Sequence, residues 1–81
     1  MEVMTVVGKR SVNFTGQDGN PVSGVNLYVL CADPYVDGQK SDKLFVSDNL
    51  RSNLSYFPVV GDEIMVDFNR WGKISNITQL P

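Results

Sequence analysis

The side chains of this chain that could act on a ligand are rings and cations placed at strand ends and loop tips. The sharpest grouping is Asn69–Arg70–Trp71–Gly72–Lys73, an indole between two cations in a short turn. A ring flanked by cations suits a polyanion that also carries flat faces, as an unpaired nucleic-acid strand does. Stacking on an aromatic is worth about 1–3 kcal/mol per base, and the cations follow the phosphates. Two structural readings of Trp71 stand beside that one: an indole folded back over the end of the fold, and an indole lodged in a dimer contact.

Catalysis finds little to work with. The chain of 81 residues has no His, which removes the commonest acid–base group and metal ligand. Its one Cys, Cys31, falls in phase with an apolar strand face and reads as a packing residue. Asp62 and Glu63 are adjacent on a strand, so their carboxylates point to opposite faces and cannot meet on one atom. Asp33, Asp37 and Asp42 lack the ligand spacing of a calcium loop, and the glycines do not form a strand-to-helix phosphate loop. The expectation is a protein that is not an enzyme and that uses neither metal nor cofactor.

The net charge is −2 and the isoelectric point about 4.7. Stand-alone nucleic-acid binders are mostly basic, so the total weighs against such a role and the local distribution must carry it. A lone Cys, no apolar run long enough for a bilayer and no leader-like stretch suggest a reduced, cytoplasmic setting. So short a chain makes a small core, and pairing with a second copy is a natural source of further buried area.

The elements that must position the rings are strands. Val3–Val12 is rich in β-branched residues, and Gly8 inside it marks a bulge or barrel-corner bend, with Lys9 and Arg10 directly after. Phe14–Pro21 reads as a tight turn. In Val22–Cys31, Val25, Leu27, Val29 and Cys31 share the core face, which leaves Tyr28 on the other. Ala32–Asp42 reads as an exposed connection containing Tyr35, a further ring of interest. In Lys43–Ser47, inward Leu44 and Val46 would send Lys43 and Phe45 to the side of Tyr28, whereas a register slip of one would put Phe45 in the core.

Asp48–Tyr56 breaks the period of two. Ser47 or Asp48 can cap a short helical turn there, with Leu50 and Leu54 docked on the body and Pro58 as the stop. Ile64, Val66 and Phe68 then alternate inward, Gly72 takes a positive φ at the tip, and Lys73–Leu80 returns. Residues 1–81 thus read as one all-β domain, a small five-stranded OB-type Greek-key barrel with a short helix or loop between strands 3 and 4; an SH3-like barrel is the alternative. OB barrels bind oligonucleotides over strands 2 and 3, framed by the first hairpin loop and the loop between strands 4 and 5. The candidate nucleic-acid-binding residues are therefore Tyr28, Lys43, Phe45, Arg70, Trp71 and Lys73, with Lys9 and Arg10 near the edge.

In length and order the chain resembles the helix-destabilising (gene V-type) single-stranded DNA-binding proteins of filamentous phages. The likeness runs from Phe14 to Pro81: Gln17-Asp18-Gly19-Asn20-Pro21 is similar to the tip of that family's DNA-binding ribbon, Leu30-Cys31 to a strand-ending pair, and Gly72-Lys73-Ile74 with Leu80-Pro81 to its closing strand. Where the family's ribbon carries Arg and Lys, this turn has Asp18 and Asn20. The resemblance implies a symmetric homodimer with Tyr28 and the Trp71 loop near the stacking aromatics. It implies sequence-independent cover of single-stranded DNA, or RNA, in a host cytoplasm. A protein–protein adaptor barrel using the same rings is the main rival, and an oligosaccharide-binding barrel with Trp71 and Tyr28 as sugar platforms the weaker one.

Overall fold

The structure, a computed structural model, describes residues 2–80. Pro81, the end of the likeness drawn above, lies outside the described residues. Five antiparallel strands form one sheet: β1 (Glu2–Thr15), β2 (Pro21–Ala32), β3 (Gln39–Ser47), β4 (Glu63–Phe68) and β5 (Ile74–Gln79), in the order β3-β2-β1-β4-β5. The helix α1 (Asp48–Asn53) joins β3 to β4. The class and the helix position are those the alternation predicts.

β1 organises the sheet by bending. Its register against β2 shifts between Val6 and Gly8, leaving Val7 as the extra residue of a bulge. Beyond the bulge β1 continues along β2, whereas it pairs with β4 only over Glu2–Thr5. One long strand thereby belongs to both halves of a curled sheet. The expected closed barrel is corrected in one respect. No ladder joins β3 to β5 among the described residues, so the OB-type fold stays partly open along that seam. A groove of about 600 Å³ runs there, with Leu50 of α1 among its walls.

Alternation fills the interior. Val25, Leu27, Val29 and Cys31 of β2, Leu44 and Val46 of β3, Ile64 and Val66 of β4, Ile77 of β5, and Met4 and Val6 of β1 make one buried cluster. The Ser47 hydroxyl caps α1 by accepting the Leu50 N–H at 3.2 Å. A six-residue helix is too short to hold itself, and Leu50 and Leu54 pack it onto the core.

Three boundaries differ from the expectation. β1 runs to Thr15, which takes Phe14 out of the turn and into a strand. β3 begins at Gln39, because cross-strand pairing with Val29–Ala32 holds the polar run Gln39–Asp42 extended. α1 ends at Asn53 with Leu54 as its cap, well before Pro58, which is buried rather than acting as the stop. No helix among the described residues is long and apolar enough to cross a membrane.

Candidate nucleic-acid interface

Because partners in a ladder share a face, the registers sort the candidates into rows. Gly8, Tyr28 and Lys43 form one row; Arg10, Asn26 and Phe45 the next; Val12, Gly24 and Ser47 a third; and Phe14 with Val22 a fourth. All lie on the face opposite Leu27 and Leu44. No carboxylate stands in any of the four rows.

The rings on this face are held flat by glycines. The Tyr28 ring lies along Gly8, where a Cβ would meet Cδ2 at 3.4 Å. The Phe45 ring covers Gly24 so closely that a Cβ there would lie 2.7 Å from Cζ. Each glycine provides the shallow bed that a neighbouring ring needs, and each ring keeps its outer face in solvent, Tyr28 at 36% exposure and Phe45 at 38%. A register-slipped Phe45 in the core is thereby excluded. Lys43 stands directly across from Tyr28, and Arg10 shares a row with Phe45.

Lys9 leaves the set. Neighbours on a strand face opposite ways, and Lys9 pairs with Leu27 rather than with Asn26. Its ammonium donates to the Pro58 carbonyl at 3.2 Å and sits 5.5 Å from the centre of the Phe57 ring, which Arg51 covers at 4.2 Å. These cations serve the segment before β4. Beside them the Tyr56 hydroxyl donates to Asp62 Oδ2, which also accepts the Val59 N–H. The hydroxyl, the Val59 N–H and the charge on Lys9 hold the Asp62 carboxyl below its ordinary value. Burial first, then the carboxylate, pushes the Tyr56 phenol up to about 12.

The β4–β5 tip is built by Asn69. Its Oδ1 accepts the N–H groups of Trp71 and Lys73 at 2.9 and 3.0 Å, while its own N–H donates to the Lys73 carbonyl at 2.7 Å. Gly72 completes the turn at φ +76°. Trp71 is 70% exposed, with the Arg70 guanidinium 4.5 Å from its ring, so the indole does not fold back over the end of the sheet. Lys73 and Phe68 reach the seam groove and face Lys43 and Phe45 across it, with no Asp or Glu among the groove's walls. Trp71 and Arg70 stand outside that groove. Tyr35 projects from the β2–β3 loop, away from these rows, 95% exposed.

Phe14 is the surface residue that the sequence reading missed. It is 53% exposed and belongs to the same face as Arg10 and Phe45. Its signal is the alternation Arg10, Val12, Phe14, carried past the point where the apolar pattern stops. Among the described residues no group of three or more His, Cys, Asp or Glu is placed to hold a metal ion. No family model, curated protein or solved structure matches this chain.

Proposed function

We propose that this chain is a non-enzymatic single-stranded DNA-binding protein, acting as a homodimer encoded by a phage or other mobile element and working in the host cytoplasm. The observation that carries the reading is the pair of glycine-bedded rings, Tyr28 and Phe45, on a face with Lys43 and Arg10 and without a carboxylate in its rows. Flat rings accept any base, because every base has a π-face, and the cations neutralise phosphates between stacks. Binding of this kind reads little sequence and opposes re-formation of a duplex by occupying the unpaired state. The groove beside Phe45, bordered by Lys43 and Lys73, supports a path from β3 towards the Trp71 tip.

Titration of the protein with poly(dT) at low and moderate salt, followed by the fluorescence of its single tryptophan, tests the reading. The expected result is a saturable change whose midpoint moves to higher poly(dT) as salt rises. A signal that neither saturates nor responds to salt would sink it. An adaptor using the same rings is the rival reading, and Val59 and Val60, 55% and 58% exposed in the segment that Lys9 contacts, give it a second apolar surface. A stable complex with a protein partner, and no oligonucleotide binding, would favour that reading instead.

A further inference from the structure

We infer that Phe14 is an additional base-stacking platform, which carries the strand path off the body of the sheet and onto the ribbon formed by the far ends of β1 and β2. The inference rests on the single-strand reading above and adds a residue to it.

The last pair between β2 and β3 is Gly24 with Ser47, so the row of Phe14 and Val22 has no third strand beside it. Phe14 is the most exposed of the three rings on this face, at 53%. A phenyl left in water on a two-stranded ribbon forgoes the burial that normally rewards it. The ring is in phase with Arg10, four residues along the same strand, roughly 14 Å at the rise of an antiparallel strand. Arg10 shares the row of Phe45, so its guanidinium stands level with that ring and two rows from Phe14, on the line that a phosphate linking stacked bases would follow. The carboxylate nearest in sequence, Asp18, lies beyond Gly16 and is turned back on its own loop: its two oxygens accept the N–H and the side-chain amide of Asn20, each at 3.0 Å. An uncharged ring in line with cations and further rings fits a base better than it fits an acidic peptide.

The experiment is a length series of oligo(dT) titrated into the full chain and into Phe14→Ala, with Phe14→Trp as rescue. Phe14 is exposed, so the Ala variant is expected to keep the parent's far-ultraviolet spectrum and melting temperature. Long oligonucleotides are expected to bind Phe14→Ala about tenfold or more weakly, the fold-change of one lost stack, while Phe14→Trp restores affinity. Short oligonucleotides that span only Tyr28 and Phe45 should bind parent and variant alike, and the salt dependence should not change, because no phosphate contact is removed. Equal affinity of parent and Phe14→Ala for long oligonucleotides overturns the inference and leaves the single-strand reading standing. Conversion of a dimeric parent to a monomer by Phe14→Ala, with short and long oligonucleotides weakened equally, also overturns it and makes the ring a contact between copies. Failure of the parent to bind any length removes the single-strand reading and this inference together.

Discussion

The phenyl ring of Phe45 rests on Gly24 of the neighbouring strand, at a distance that leaves no room for a side chain. A Cβ at Gly24 would come within 2.7 Å of Cζ and 2.9 Å of Cε1, and would also run into the carbonyl oxygen of Val46. The carbonyl belongs to the ladder and cannot move aside as a flexible side chain would. Gly24→Ala is therefore expected to destabilise the fold by about 1–3 kcal/mol, the range for overpacking. It should also tilt the Phe45 ring out of its bed. Chemical denaturation and poly(dT) titration of the same variant read the two effects. Parent-like values in both would show that the ring does not need the glycine.

Arg10 and Lys9 are neighbours in sequence and belong to opposite faces. Arg10→Gln is expected to lower the slope of log affinity against log salt by about 0.7, the share of one phosphate contact on a single strand. Lys9→Gln should leave that slope alone and loosen the segment before β4, because it loses the hydrogen bond to Pro58 and the contact with Phe57. Salt-dependent titrations of the two variants make the comparison. If Lys9→Gln lowers the slope and Arg10→Gln does not, the face assigned to DNA is the wrong one.

The Tyr56–Asp62 pair predicts how stability depends on pH. Asp62 has a folded value below the ordinary 3.8, so its contribution is complete above 3.8 and is lost as pH falls through the lower folded value. The phenol of Tyr56 moves the other way, from 10.0 to about 12, so its contribution is complete below 10.0 and is lost as pH rises through about 12. Tyr56→Phe should flatten the alkaline decline, and Asp62→Asn should soften both ends. Thermal melts at acid, neutral and alkaline pH, with phenolate absorbance followed in parallel, check both signs. An alkaline decline that Tyr56→Phe leaves unchanged would show that the pair does not set it.

Much of this fold is legible in the sequence because the core is made of long runs with a period of two. Val25, Leu27, Val29 and Cys31 declare their face, as do Ile64 and Val66, and Gly8 and Gly72 mark the bulge and the tip for conformational reasons. The outward side of Tyr28, Lys43 and Phe45 follows from the same alternation. What escapes the sequence depends on partners far along the chain. Gln39–Asp42 has no apolar pattern and becomes strand only because β2 lies beside it. The open seam reflects whether β3 and β5 meet, which no local pattern encodes. Phe14 reads as part of a turn because the ribbon outlasts its apolar residues, and Lys9 groups with Arg10 by sequence proximity although a strand sends such neighbours to opposite faces. The Tyr56–Asp62 bond crosses an irregular stretch with no period to follow.

The Asn69 side chain predicts how the Trp71 tip responds to mutation. One carboxamide oxygen holds the N–H groups of Trp71 and Lys73, so it fixes the residues on either side of the positive-φ Gly72. Asn69→Ala leaves both donors to water, and the exposed hairpin end should lose about 1 kcal/mol, the usual net worth of a hydrogen bond. Gly72→Ala meets a different cost: nothing lies within 4 Å of its Cβ, so the penalty is purely that of the left-handed backbone, about 1–2 kcal/mol. Both changes lie at a loop tip outside the buried cluster, and losses of that size should lower the melting temperature by several degrees while the mobility of the indole rises. Fluorescence anisotropy of the single tryptophan reads that mobility directly. If Trp71 stacks on a base, poly(dT) should raise the anisotropy of both variants back towards the parent's, with weaker affinity because the strand must now order the tip. Anisotropy that stays low in saturating poly(dT) would remove Trp71 from the interface and leave the rows of Tyr28 and Phe45 to hold the strand.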